Sequence, residues 1–213
     1  MEINWLGHSS ISINSRDIIL ITDPFDTSDG EFFNSPNANI VTVSNNDLKH
    51  SSTSGVKGSP KIISGPGEYE IKHFYITGIG TGTQSEDNPQ NGALNTIYSI
   101  RAEGLVICHI GNLKQKLTPT QFDQIGKPQI LILPIPDETS FNSSNLQEVI
   151  TSLQPRIIIP VTTNDYIAPE DAGTTKEALI SELGGSDVQS QNRLNVTETN
   201  LPPERKIILL NKI

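Results

Sequence analysis

Four residues with donor or charged side chains follow an apolar run at 38–43: Asn45, Asp47, Lys49 and His50. They lie where a strand is expected to pass into a loop, which is where proteins commonly place functional groups. The loop resembles zinc-binding loops that read Ser-His-x-His-x-Asp-His, in which imidazole and carboxylate side chains bind the metal. Here only His50 keeps the expected type, because Asn45 and Asp47 replace two histidines and Lys49 replaces the aspartate.

These replacements argue against metal chemistry. Zinc catalysis requires about three protein ligands and an open position for water, and asparagine is a poor zinc ligand. An ammonium group ~4 Å from a unit positive charge costs about 4 kcal/mol at an effective dielectric of ~20, and a dication doubles the charge product. One hypothesis is that Lys49 replaces a lost cation and neutralises Asp47 and Asp23. The alternative is that Lys49 points into solvent.

The composition limits the classes of partner. The chain has 213 residues, which suits one domain over 1–213, and its formal charge is −9. An acidic protein is a poor partner for nucleic acid or an anionic membrane surface. The single cysteine, Cys108, allows no internal disulfide, and no apolar run has the length of a signal peptide or a membrane span. These features predict a cytoplasmic protein that binds a small molecule or another protein.

Short strand-like runs dominate the first half of the chain, and strands alternate with helices in the second. The helix signals are a capping box with Pro119 after Thr118, an apolar i, i+3, i+4, i+7 pattern over 144–153, and a third cap at Thr174. The strands are expected at 3–6, 11–13, 18–22, 38–43, 61–64, 69–71, 74–79, 93–100, 105–110, 129–133, 157–159, 194–197 and 206–210. This order favours an α/β architecture of two packed sheets with helices outside them.

Six short motifs occur in an order and at spacings that resemble the metallo-β-lactamase superfamily, and most closely its compact bacterial branch of zinc-dependent hydrolases. They are Trp5-Leu6-Gly7-His8-Ser9, Thr22-Asp23-Pro24-Phe25, Gly65-Pro66-Gly67-Glu68-Tyr69-Glu70, Asn95-Thr96-Ile97-Tyr98, Cys108-His109-Ile110-Gly111-Asn112 and Ile159-Pro160-Val161. The resemblance covers nearly the whole chain. It implies a four-layer αββα sandwich with the active site on loops at one edge of the two sheets.

The resemblance also implies further metal ligands, and their positions are altered too. Thr83 and Thr162 stand closest to two expected histidines, and Asn112 stands at an expected bridging aspartate. The resemblance therefore places the former metal site at Asn45, Asp47, Lys49, His50, Thr83, Asn112 and Thr162. Beside it we expect His8, Asp23, Glu68 and His109, mainly as hydrogen-bonding residues. Asp47, His50 and His109 are the weak candidates for a rebuilt metal site.

Two functions follow from this sequence. The first is a pseudoenzyme without a metal cofactor, which binds a ligand or partner through the former active-site cleft. The second is a hydrolase with either a rebuilt single-metal site or metal-free acid–base chemistry in the same cleft. We expect Asp23 to act as a structural carboxylate that binds backbone N–H groups of the former metal loop. We expect Cys108 to be buried core and His73 to be an exposed turn residue.

Overall fold

The computed structural model describes residues 1–26, 33–82, 94–135, 143–162 and 189–213. The strands are β1 Glu2–Gly7, β2 Ser10–Ser15, β3 Ile18–Thr22, β4 Asn37–Val43, β5 Lys57–Ser64, β6 Gly67–Ile71, β7 Phe74–Thr81, β8 Asn95–Ala102, β9 Leu105–His109, β10 Ile130–Ile135, β11 Ile157–Thr162, β12 Ser190–Gln191, β13 Leu194–Asn195, β14 Lys206–Ile207 and β15 Leu209–Leu210. The helices are α1 Leu48–Ser51, α2 Pro119–Ile125 and α3 Ser143–Leu153, with 3₁₀ turns at Thr53–Gly55 and Glu198–Asn200.

Two mixed sheets form the framework. The first has the order β13-β1-β2-β3-β4-β5, and the second has the order β14-β11-β10-β9-β8-β7-β6. In the first sheet β3, β4 and β5 run parallel, while in the second β9, β10, β11 and β14 run parallel. The remaining neighbours in both sheets are antiparallel. This arrangement confirms the predicted α/β sandwich.

Three apolar clusters hold the layers together. The largest lies between the sheets and joins side chains such as Leu20 and Ile40 to Ile100 and Ile107. The second packs α2 and α3 against the outer face of the second sheet. The third covers the outer face of the first sheet, where Phe25 and Phe33 lie in the same cluster as residues of β1, β3 and β4. Strand side chains alternate between faces, so β-branched runs supply both an inner and an outer surface.

Several local predictions are confirmed by the geometry. Helix α2 begins with the capping box: the Gln121 N–H donates to Thr118 Oγ1 at 3.2 Å, and Gln121 Oε1 accepts the Thr118 N–H at 2.9 Å. Gly126 follows this helix at a φ of 74°, which glycine adopts without steric cost. The third predicted helix, which begins at Thr174, lies outside the described residues. None of the described helices is long and apolar enough to cross a membrane.

Two strand predictions near the C-terminus were wrong in extent. The strand expected at 194–197 ends at Asn195, because the Thr197 N–H bonds to Asn200 Oδ1 at 2.8 Å and begins a 3₁₀ turn. The strand expected at 206–210 is divided into β14 and β15. These two strands pair with β11 and β12, which belong to different sheets, so Ile208 lies between two pairings.

Candidate functional site

The candidate site lies at one end of the sandwich, where several strands end. Asp23 follows β3, Ser44 follows β4, and His109 is the last residue of β9. The turn between β1 and β2 brings Ser9 to the same end, and α1 brings His50. The ends of adjacent parallel strands share one edge of a sheet, so residues far apart in sequence become neighbours here.

Asp23 is the centre of this group and is fully buried. Its Oδ1 accepts the Ser44 N–H at 2.8 Å, and its Oδ2 accepts the Ser44 hydroxyl at 2.6 Å. The carboxylate thus binds a backbone N–H of the loop that follows β4, as we expected from the sequence. Asp23 has a φ of 41°, which is unusual for a residue with a side chain. The surrounding hydrogen bonds hold it in this strained conformation.

His50 is oriented by Asp23. Its Nδ1 lies 2.9 Å from Asp23 Oδ2 and 2.9 Å from Ser9 Oγ. An ionised carboxylate only accepts hydrogen bonds, so Nδ1 carries the proton and donates it to Asp23. Ser9 then faces a protonated nitrogen and cannot be deprotonated by it, which excludes a Ser9–His50 nucleophile. The other ring nitrogen, Nε2, makes no hydrogen bond within the described part of the chain.

His109 is fixed as a neutral imidazole. Its Nδ1 accepts the Gly111 N–H at 3.2 Å, so the proton is on Nε2, which donates to the Ser9 carbonyl at 2.8 Å. Burial lowers the pKa of His109 and outweighs the opposing effects of the Asp23 charge and the Ser9 bond. Both ring nitrogens are therefore committed, and His109 presents no free lone pair.

The same environment keeps Asp23 ionised. Burial alone would raise the pKa of the carboxyl group, because it removes water from the charged form. The neighbouring His109 and His50 rings, together with the hydrogen bonds from His50 and Ser44, reverse this effect. As a result, the pKa of Asp23 lies below its usual value of 3.8.

The side chains of the loop that follows β4 hydrogen-bond within the loop itself. Asn45 Oδ1 accepts the Asp47 N–H at 2.9 Å, and Asn45 Nδ2 donates to Ser44 Oγ at 2.9 Å. Asp47 caps α1 by accepting the Lys49 N–H at 3.0 Å. Lys49 is exposed and makes no ion pair with any described residue. The structure thus favours the interpretation that Lys49 points into solvent over the hypothesis that it replaces a cation.

The loop after β9 is held close to Ser44 by Asn95. Asn95 Oδ1 accepts the Asn112 N–H at 2.8 Å, and its Nδ2 donates to the Ile110 carbonyl and to Thr81 Oγ1. A Cβ atom on Gly111 would lie 2.6 Å from Ser44 Cβ, so no side chain fits there. Sequence reasoning gave no role to Asn95 or Ser44. The signal that could have identified them is that both lie next to strand ends, as do Asp23 and Asn112.

The other predicted site residues are placed less centrally. His8 is buried and packs against Phe25, with ring centroids 4.3 Å apart. Glu68 is exposed on β6, three strands from His109 and therefore about 14 Å away in the plane of the sheet. The described contacts do not join Glu68 to the Asp23–His50 pair. Thr83 lies outside the described residues, and only the backbone of Thr162, at the end of β11, is described.

Two further residues were assessed from the sequence. Cys108 is buried in the cluster beneath α2 and α3, and burial raises the pKa of its thiol to about 12, which agrees with a core residue. His73 does lie in the turn between β6 and β7, but the prediction that it is exposed was wrong. It is half-buried because its Nε2 bonds to Ser15 Oγ at 2.8 Å. The register of β7 against β8 places it at the far end of the sandwich, about 20 Å from the site.

Comparison with known proteins identifies the family. Residues 2–162 match the family model described as the β-lactamase superfamily domain. The chain belongs to the metallo-β-lactamase superfamily. A provisionally assigned zinc-dependent hydrolase of this superfamily from Thermotoga maritima is 26% identical, with a TM-score of 0.74 over 98% of this chain and 97% of that one. Among curated proteins, none matches this chain.

Two more distant structures share the fold alone. YhfI of Bacillus subtilis, a metallo-β-lactamase fold protein, is 10% identical, with a TM-score of 0.64 over 99% of this chain and 97% of that one. Isothiocyanate hydrolase from Delia radicum gut bacteria is 12% identical, with a TM-score of 0.62 over 100% of this chain and 97% of that one. Nearly full coverage in both directions indicates that the shared fold extends over almost the whole length of each chain.

The residues at the site do not fit the zinc that this superfamily implies. The chain has four histidines and one cysteine, and all five lie in described segments. His8 packs against Phe25, His73 lies at the far end, His109 has both nitrogens committed, and Cys108 is in the core. Within the described residues, no group of three or more His, Cys, Asp or Glu side chains could hold a metal ion. Beside Asp23, the Nε2 atom of His50 is the imidazole nitrogen that makes no hydrogen bond with any described residue.

Proposed function

We propose that this chain is a metallo-β-lactamase-fold protein that does not act as a zinc hydrolase and instead binds a small molecule or another protein at the candidate site. The proposal rests on one observation: the side chains that could bind a metal ion already make hydrogen bonds within the protein. The Asn45 side chain and the Asp47 cap serve the backbone of their own loop, and His109 serves Gly111 and Ser9. A zinc ion would have to break these bonds and would still gain a single imidazole, from His50.

The charge at the site also supports this proposal. In zinc hydrolases a carboxylate commonly orients a metal-binding histidine through its other ring nitrogen. Asp23 and His50 keep that geometry, but Lys49 adds a positive charge beside His50 instead of the carboxylate that a dication would require. The descriptions of the Thermotoga and Delia gut proteins imply hydrolase activity, but we do not expect this chain to hydrolyse a substrate with the help of a metal ion. The single domain over 1–213 and the cytoplasmic location stay predictions from the sequence.

Metal content tests the proposal directly. The untagged protein would be equilibrated with zinc, manganese or iron, desalted and measured by elemental mass spectrometry. We expect sub-stoichiometric metal in every case, because a site with one free imidazole binds a dication weakly. A matched positive control is a variant with Asn45→His, Asp47→His, Lys49→Asp and Asn112→Asp, which restores four donors of the family pattern. Near-stoichiometric metal in the unaltered protein would overturn the proposal.

A second function is favoured by one observation: Asp23 holds His50 so that Nε2 is the free nitrogen. A histidine fixed in this way by a carboxylate can act as a general base toward water without any metal. Hydrolysis of a panel of activated esters and thioesters in the presence of a chelator tests this. Activity that persists with chelator and is lost in His50→Gln would identify a metal-free hydrolase. The control His73→Gln, at the far end of the sandwich, should keep any such activity. No activity of the unaltered protein above the uncatalysed rate would support the binding protein.

A further inference from the structure

A buried hydroxyl group beneath the candidate site has no protein partner. Thr42 lies in β4, is 0% exposed, and its Oγ1 makes no hydrogen bond within the described part of the chain. Strand side chains alternate, so Thr42 points to the same face as Ile40, which belongs to the cluster between the sheets. Valine has the same shape and would fill this position without burying a polar atom. An unpaired buried hydroxyl is costly and calls for a physical explanation.

Asp23 and Tyr98, which have spare hydrogen-bonding capacity, are hydrogen-bonded to the backbone of Thr42 and Val43. The Asp23 N–H donates to the Thr42 carbonyl at 2.8 Å, and Tyr98 Oη donates to the adjacent Val43 carbonyl at 2.9 Å. The Asp23 carboxylate accepts three hydrogen bonds out of a capacity of about four. Tyr98 Oη accepts the Gly65 N–H at 3.0 Å and keeps a second lone pair.

The hydroxyl on the neighbouring strand is bonded differently. Thr22 pairs with Thr42 in the parallel register of β3 and β4 and is also fully buried. Its Oγ1 accepts the Ile11 N–H at 3.1 Å and lies 3.4 Å from the Ser9 carbonyl. Thr22 and Thr42 thus lie side by side in the sheet, but among the described residues only the hydroxyl group of Thr22 has hydrogen-bond partners.

We propose that Thr42 Oγ1, the Asp23 carboxylate and Tyr98 Oη together bind one buried water molecule beneath the candidate site. Buried waters in proteins typically make about three hydrogen bonds to polar groups that would otherwise be unsatisfied. This water gives Thr42 a partner and supplies the fourth hydrogen bond to Asp23. The proposal does not depend on whether the site binds a ligand or catalyses hydrolysis.

The sign of one substitution tests the proposal. Thr42→Val removes the hydroxyl and keeps the shape, and its equilibrium constant for unfolding would be measured by urea denaturation beside that of Thr22→Val. If Thr42 binds water, Thr42→Val raises the unfolding constant about five- to tenfold, the ratio that one intramolecular hydrogen bond typically supplies. Thr22→Val calibrates the loss of a bonded hydroxyl and should change in the same direction. An unchanged or lower unfolding constant for Thr42→Val would show that the hydroxyl is unpaired and would overturn the proposal.

A second measurement detects the water itself. We expect nuclear Overhauser effects between a long-lived water and the amide protons of Val43 and Ser44 in the unaltered protein. The signals should persist in Thr42→Ser, which keeps the hydroxyl, and disappear in Thr42→Val. Their absence from the unaltered protein, or their persistence in Thr42→Val, would contradict the proposed site. Both variants would first be checked for an unchanged circular dichroism spectrum.

Discussion

Replacing Asp23 by asparagine is the most informative single perturbation of this protein. The substitution keeps the size of the side chain and removes its charge. Asp23 accepts bonds from the Ser44 N–H, the Ser44 hydroxyl and His50 Nδ1 at 2.8, 2.6 and 2.9 Å. Asparagine offers one carbonyl oxygen, and its NH₂ group would face the hydroxyl and imidazole donors that the carboxylate now satisfies. At least one buried donor would be left without a partner.

The structure gives the size of the expected effect. A hydrogen bond to a charged group contributes about 1.5–3 kcal/mol, and a buried donor that is left without a partner costs about 1–3 kcal/mol. Since Asp23→Asn removes the charge and leaves at least one donor without a partner, we expect it to lower the free energy of unfolding by about 3–5 kcal/mol. In a protein of this size 1 kcal/mol shifts Tm by about 2–4 °C, so Tm should fall by about 6–20 °C.

Asp47→Asn is the matched control, because it makes the same chemical change in the same loop region. Asp47 is exposed and caps α1, and asparagine is as good a cap as aspartate, so its Tm should stay nearly constant. Both variants would be melted by circular dichroism at neutral pH. A Tm for Asp23→Asn no lower than that of Asp47→Asn would refute the central role that we give to the Asp23 network.

The acid dependence of stability provides an independent test of Asp23. Its folded-state pKa lies below the usual value of 3.8, so the ionised carboxylate stabilises the fold above the unfolded-state pKa. That stabilisation is lost as the pH falls below about 4 toward the folded-state pKa. Asp23→Asn should therefore flatten the decline of the unfolding free energy in this range. An equally steep decline in the variant would show that other carboxylates cause it.

Three further outcomes are expected. Because burial holds the pKa of His109 below 6.5, the unfolded chain binds a proton at higher pH than the folded protein does, and stability falls as the pH drops below 6.5. His109→Gln should flatten that decline when the free energy of unfolding is measured by urea titration. An unchanged slope would contradict the assignment of His109 as a neutral imidazole. Lys49→Ala should shift Tm no more than Lys57→Ala, since both lysines are exposed, and a clearly larger shift would revive the cation-replacement hypothesis. Cys108 should react with a thiol reagent only after unfolding, because its pKa of about 12 and its burial suppress the thiolate, and rapid labelling of the native protein would refute its place in the core.

Much of the fold could be predicted because local signals and the overall pattern agree. The capping box at Thr118 and Gln121 and the helical spacing of Leu146, Val149 and Ile150 fixed two helices to within a residue or two. The two-sheet architecture followed from the motif order. The division of 206–210 into two strands was not accessible, because it depends on which sheet each pair of residues meets.

The candidate site was predictable in location but less so in its bonding. Asp23, His50 and His109 were named from motif positions, yet nothing in the sequence shows that His109 accepts the Gly111 N–H and is thereby fixed as neutral. In the sequence Ser9 adjoins His8, whereas the fold brings its side chain to His50, 41 positions away. His73 similarly gains Ser15 as a partner through the tertiary structure. Such contacts depend on strand register, which short motifs do not specify.

Burial separates the family positions that are kept from those that are changed. Asp23, His50 and His109 retain the expected residue types, and all three are buried and joined to the same hydrogen-bonded network. The changed positions that are described are accessible to solvent: Asp47 and Lys49 are exposed, while Asn45 and Asn112 are half-buried. A chain that needed only the fold would tolerate changes at solvent-facing positions and lose stability from changes to the buried network. If the chain required a metal ion, we would expect metal-binding residue types at the exposed positions as well. Their absence from the described positions supports the proposal of a binding protein over that of a zinc hydrolase.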